Sequence, residues 1–229
     1  MCMQIIDKLP ITVAIYIAGC VVTPGAVELQ PGAPDCGSRS ELVGLKIYVD
    51  QSAGMVKFAF GSGGISRTNV TDDTPLSRIP RNDPGMNFLE EVQAAFPREP
   101  GRLPSGDLVG FPASSSPDGR RWAAAIIADD AGSPKEFVVR DGKDFHRLAS
   151  TRGLHVATLA WSPDSMSLAV IEWNYQTTIR GFRDFVSPHP VPYSDIALSI
   201  YRASGELICQ SILQTQARYA SVRAEWLRP

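Results

Sequence analysis

Hydrophobic and polar positions alternate with a period of two in several short stretches separated by turn residues. In "LKIYVDQSAGMVKFAF" (45–60) β-branched and aromatic residues flank Ser52-Ala53-Gly54, which predicts strand, turn, strand. The form returns in "KEFVVRDGKDFHRLAS" (135–150), where Asp141-Gly142 is a strong two-residue hairpin signal, and in "DIALSIYRASGELICQSIL" (195–213), turning at Ser204-Gly205. Ahead of the second and third hairpins lies a nearly continuous apolar run, "RWAAAII" (121–127) and "SLAVIEW" (167–173). Such runs predict strands buried on both faces.

Each apolar run is entered through the same short unit, Ser116-Pro117-Asp118-Gly119 and Ser162-Pro163-Asp164, 46 residues apart. The unit suits a tight turn: proline presets φ, the aspartate side chain caps the turn and glycine accepts positive φ. These residues are therefore read as structural, and Asp118 and Asp164 as turn caps in preference to a catalytic pair. Four short strands at a period of 40 to 50 residues predict β-propeller-like blades, each unable to bury both faces without a neighbour. The expected fold is all-β: a small, open or incomplete set of four blades at most, with one helical insertion. A β-sandwich with a helix is the alternative. The final "SVRAEWLRP" (221–229) looks like a further outer segment, which either joins the first hairpin or leaves an open set of blades.

"SSPDGRRWAAAII" and "LAWSPDSMSLAVIEW" resemble the WD-like repeats of TolB-type propellers, over roughly residues 107–213. The first copy has Ser115 where that pattern has an aromatic residue, and the second has Ser165 where it has glycine. The resemblance implies blades and no particular activity.

Two insertions interrupt the pattern. In the first, 61–106, "DPGMNFLEEVQAAFP" (83–97) predicts a helix with Asp83 as N-cap, Pro84 in the first turn and Pro97 ending it. The second, 174–195, gathers Tyr175, Arg180, Phe182, Arg183, Phe185, His189 and Tyr193. Aromatic and arginine side chains together suit a binding surface, although they also serve to fold an insert back over the sheets.

The chain has 229 residues, with 44% hydrophobic and 20% charged residues, ordinary globular composition for one folded unit. A formal net charge of −2 offers no basic stripe for phosphates, so a nucleic-acid partner is not expected.

The N-terminus changes the picture more. One lysine precedes an apolar run from Leu9 to Gly19 that suits a signal-peptide core and is too short to span a bilayer as a helix. Ile17-Ala18-Gly19-Cys20 resembles the lipobox of bacterial lipoproteins, which implies cleavage after residue 19, a lipid anchor on Cys20 and a periplasmic-side address in the cell envelope. Ordinary secretion with a later cut, or a buried first strand, are the alternatives. Residues 20–40, rich in Pro, Gly and Ser, are then expected as a tether, and 41–229 as the folded domain. After such a cut only Cys36 and Cys209 keep free thiols. They either pair as a disulfide in an oxidising compartment or pack as buried thiols.

No catalytic motif stands out. "GSGG" (61–64) lacks the G-x-S-x-G spacing, no P-loop or C-x-x-C occurs, and the three histidines have no partners at metal-ligand spacing. No catalytic residue, metal or cofactor is expected. The function these features point to is a non-enzymatic envelope lipoprotein that binds another protein, reaching the membrane through its lipid. The propeller part of a serine peptidase system of the prolyl oligopeptidase type, or a small-molecule or glycan sensor, are the alternatives.

Overall fold

The structure, a computed structural model, describes residues 29–51, 54–70, 108–127, 136–142, 144–149, 155–176 and 193–227. Its strands are β1 (Leu45–Gln51), β2 (Gly54–Gly61), β3 (Gly64–Val70), β4 (Leu108–Ser115), β5 (Arg121–Ile127), β6 (Glu136–Asp141), β7 (Asp144–Ala149), β8 (His155–Trp161), β9 (Ser167–Gln176), β10 (Tyr193–Arg202) and β11 (Leu207–Trp226). Two short 3-10 turns, Cys36–Ser38 and Ser40–Leu42, precede them. The fold is all-β. The helix expected over 83–97 lies outside the described residues.

All strand pairings are antiparallel and form three four-stranded sheets. One is β4-β5-β6-β7, a second β8-β9-β10-β11 and a third β11-β1-β2-β3, so that β11 belongs to two sheets and makes them one seven-stranded run. Each sheet keeps its strands in chain order apart from β11. None closes on itself. The last strand does join the first hairpin: Leu45 lies opposite Trp226 and Val49 opposite Val222.

The middle sheet, β8-β9-β10-β11, is packed on both faces. Ala160, Ala169, Ile171, Ile196, Leu198 and Cys209 meet Ile47, Val49, Val56 and Phe58 of the β1–β2 hairpin. The alternate residues Leu159, Trp161, Leu168, Val170 and Tyr201 meet Ala123, Phe137 and Val139 on the other side. This two-sided burial is why "SLAVIE" is apolar nearly throughout. By contrast β1 buries Leu45, Ile47 and Val49 and leaves Lys46, Tyr48 and Asp50 part-exposed, the alternation of a sheet with one packed face.

Three expectations need correction. The first insertion does not begin at 61, because Gly64–Val70 is a strand paired with β2, with Ile65 opposite Phe60. Its second residue to its sixth are exposed, so this edge strand carries no apolar alternation to reveal it. The second insertion is shorter than 174–195, since Tyr175 and Tyr193 extend the β9–β10 ladder and pair with Ser194 and Gln176. The expected tether is not free along its length: from Gln30 onward it docks on β11, for reasons given below.

Leu198 is fully buried between sheets. Leu198→Ala should therefore lower the unfolding free energy by about 2–5 kcal/mol, measured by urea denaturation, while Val43→Ala, at an exposed site, should stay within about 0.5 kcal/mol of the parent.

Candidate functional site

The two Ser-Pro-Asp units form the same turn. In the first, the Ser116 hydroxyl donates to Asp118 Oδ1 at 2.5 Å and accepts from the Arg121 N–H at 2.9 Å. In the second, the Ser162 hydroxyl donates to Asp164 Oδ1 at 2.5 Å and accepts from the Ser167 N–H at 2.9 Å. Each aspartate also accepts a backbone N–H two residues on, from Arg120 and Met166 respectively, both at 3.0 Å. Gly119 has φ 67° and Ser165 φ 63°, so the serine occupies the left-handed position that the glycine fills in the other copy.

These contacts fix the carboxylates in their charged form. The Ser116 hydroxyl, then the Arg120 N–H and the nearby Arg121 guanidinium, hold the Asp118 carboxyl below the usual carboxylate range. The Ser162 hydroxyl and the Met166 N–H do the same for Asp164. A carboxylate committed in this way is a turn cap and a poor proton donor or acceptor near neutral pH.

The two turns touch. The Asp118 N–H donates to Ser165 Oγ at 3.1 Å, and the Arg121 guanidinium reaches the Ser165 carbonyl at 3.2 Å while pairing with Asp141 at 2.9 Å and Asp118 at 3.3 Å. Two tryptophans repeat a second link between sheets. Trp161, at the end of β8, donates its indole N–H to the Ser114 carbonyl of β4 at 3.0 Å, and Trp226, at the end of β11, donates to the Ala160 carbonyl of β8 at 3.2 Å. Thus β4, β8 and β11 stand side by side as the first strands of adjacent sheets.

Beside the turns opens a cleft of about 430 Å³ lined by Glu41, Arg121, Asp141, Met166, Arg202 and Ile208, among others. Arg121 is its most buried charged side chain, at 17% exposure, and is neutralised by Asp118 and Asp141. Arg202 is far more exposed and pairs with Glu206 at 3.3 Å. Sequence reasoning missed this cleft. Its one early signal was a charged residue, Arg121, opening an otherwise apolar strand directly after a turn.

Of the two readings left open for Cys36 and Cys209, the structure has the disulfide, joining residues 173 apart and fully buried. Around it the expected tether is pinned. The Gln210 N–H donates to the Pro34 carbonyl at 2.9 Å, the Cys36 N–H donates to Ser211 Oγ at 2.8 Å, and Ser211 Oγ donates to Asp35. The Gln30 N–H donates to Gln210 Oε1 at 2.8 Å, Gln210 Nε2 to Ser199 Oγ at 3.0 Å, and Ser199 Oγ to Glu172 at 2.7 Å. This last chain satisfies a fully buried Glu172, which interrupts the apolar run of β9. Burial, with Glu172 nearby, pushes the Tyr201 phenol above its ordinary pKa.

Cys20 lies outside the described residues, as do Arg180, Phe182, Arg183, Phe185 and His189 of the expected binding insert. Among the described residues no group of three or more His, Cys, Asp or Glu is placed to hold a metal ion. The chain matches no protein-family model and no curated protein.

A depressed folded-state pKa makes the stabilisation by Asp118 and Asp164 fully present above the unfolded aspartate value of about 3.9, and lost as pH falls through the lower folded value. Acid titration followed by tryptophan fluorescence should therefore show a steep acid limb below about pH 4. The Asp118→Asn, Asp164→Asn double variant should be less stable at neutral pH and have a flatter limb; an identical limb would rule out these two carboxylates as its source.

Proposed function

We propose that this chain is a protein-interaction scaffold of the bacterial cell envelope, built of propeller-type blades and anchored through a lipid on Cys20. The observation that carries the blade reading is the connectivity of the three sheets. In β4-β5-β6-β7 and β8-β9-β10-β11 the last strand of one sheet leads to the first of the next, and β11 is at once the last strand of one and the first of another. The first strands are stitched together by Trp161 and Trp226, and no sheet buries both faces alone. The sandwich alternative accounts for face-to-face packing but gives no reason for this repeated order. With the carboxylates of the repeated motif committed to turns, the surfaces left for function are those that meet other molecules.

The buried Cys36–Cys209 disulfide supports an oxidising compartment, where such bonds form and persist. It agrees with the address implied by Ile17-Ala18-Gly19-Cys20. Residues 20–29 then serve as the tether, shorter than 20–40 because docking begins at Gln30.

Cells expressing the chain should incorporate labelled palmitate into it, and Cys20→Ala should abolish the label; label retained in that variant excludes the anchor. For the scaffold role, photo-crosslinking residues placed at Lys57 and Thr68, paired across β2 and β3, should give discrete heavier adducts in living cells. A panel of such positions yielding none would exclude it.

A further inference from the structure

Among the described residues, five large hydrophobic side chains are exposed by about a third or more: Val43 (50%), Ile65 (36%), Met166 (55%), Ile212 (40%) and Leu227 (47%). Four of them lie at one end of the molecule. The Leu227 N–H donates to the Gly44 carbonyl at 2.9 Å and the Gly44 N–H to the Phe60 carbonyl at 3.0 Å, which brings Val43 and Leu227 together beside the β2–β3 turn. The δ-carbon of Ile65 lies against Gly37, in the first 3-10 turn. The next turn supplies Glu41, which lines the cleft with Met166. Single exposed hydrophobics are ordinary; four grouped around one concavity mark an interaction surface.

Charge narrows the occupant. The same end carries Arg39, Arg121 and Arg202 with Glu41, Asp141 and Glu206, paired at 3.2, 2.9 and 3.3 Å. The outer pairs, Arg39 with Glu41 and Arg202 with Glu206, are well exposed, so little holds them in their present partnership. A phosphate backbone or an anionic membrane would favour an excess of arginine, which is absent from this set. A surface with cations and anions in equal number complements a second copy of itself, because a two-fold axis lets each arginine face the other copy's carboxylate.

We propose that this end is the interface of a symmetric dimer, in which a second copy of the chain covers Val43, Ile65, Met166 and Leu227 and exchanges the Arg202–Glu206 partnership across the two-fold axis. The proposal is independent of the lipid anchor. Sedimentation equilibrium of the full chain at micromolar concentration should give twice the 24.8 kDa chain mass. Met166→Glu combined with Leu227→Glu, with unchanged circular dichroism, should weaken association at least tenfold.

Arg202→Glu and Glu206→Arg should each weaken it, the first leaving only carboxylates at the paired positions and the second only guanidinium groups. An equimolar mixture of the two should associate about as tightly as the parent. A monomeric parent, a dimer indifferent to the Met166 and Leu227 substitutions, or a mixture no tighter than either variant alone would each overturn the proposal. Palmitate labelling of Cys20 is read separately, so failure of the anchor and failure of the dimer are distinguishable.

Discussion

The structure depends on one strand serving two sheets. A straight β11 of 20 residues would span about 65 Å, far beyond an ordinary strand, so it must bend. The bend is visible as register. Against β10 the pairing slips at three places, and against β1 once, between Asp50 and Gln51; at every slip the extra residue is on β11. A bulged strand twists and turns away from its partner. Repeated along β11, this carries the chain from β10, paired as far as Arg218, to β1, paired from Tyr219 onward. The first hairpin of the sequence is therefore held by the last strand.

That arrangement gives the disulfide its meaning. Cys209 lies near the start of β11, with Gln210 and Ser211 beside it, and all three hold the segment around Pro34–Cys36. The start of the described chain is thus fixed to the same strand that later pairs with β1. A cross-link closing so long a loop stabilises mainly by restricting the unfolded chain, typically by about 2–4 kcal/mol. It also spares the β1–β11 pairing, a contact between distant parts of the sequence, from being the sole link between the chain's two ends.

Much of this was legible in the sequence, and the failures are physical. The three hairpins and the two turns could be read because their signals are local: period-two alternation, Asp-Gly, Ser-Pro-Asp. The edge strand β3 could not, because an exposed strand needs no apolar residues; "ISRTN" reads as loop. Pro112 interrupts β4 and sits in its bulge, where two residues are skipped between Gly110 and Ala113. The change of sheet within β11 leaves no trace in composition, since both halves are ordinary strand sequence. Glu172 looks misplaced in an apolar strand until Ser199 and Gln210, from two later strands, supply its partners.

The repeated turn places its charge as well as its backbone. Its geometry keeps Asp118 ionised, and that charge, with Asp141, draws Arg121 from the start of β5 back over the neighbouring turn, where it reaches the Ser165 carbonyl. The position that requires positive φ is filled by Ser165, whose hydroxyl accepts the Asp118 N–H. A glycine there would relieve the left-handed backbone but lose that contact. The departure from the usual glycine is therefore compensated by a bond between adjacent sheets. Turns that lock sheets together in this way leave a rigid, ionic rim beside the cleft, so that apolar side chains standing outside it, such as Met166, are held in place without being buried.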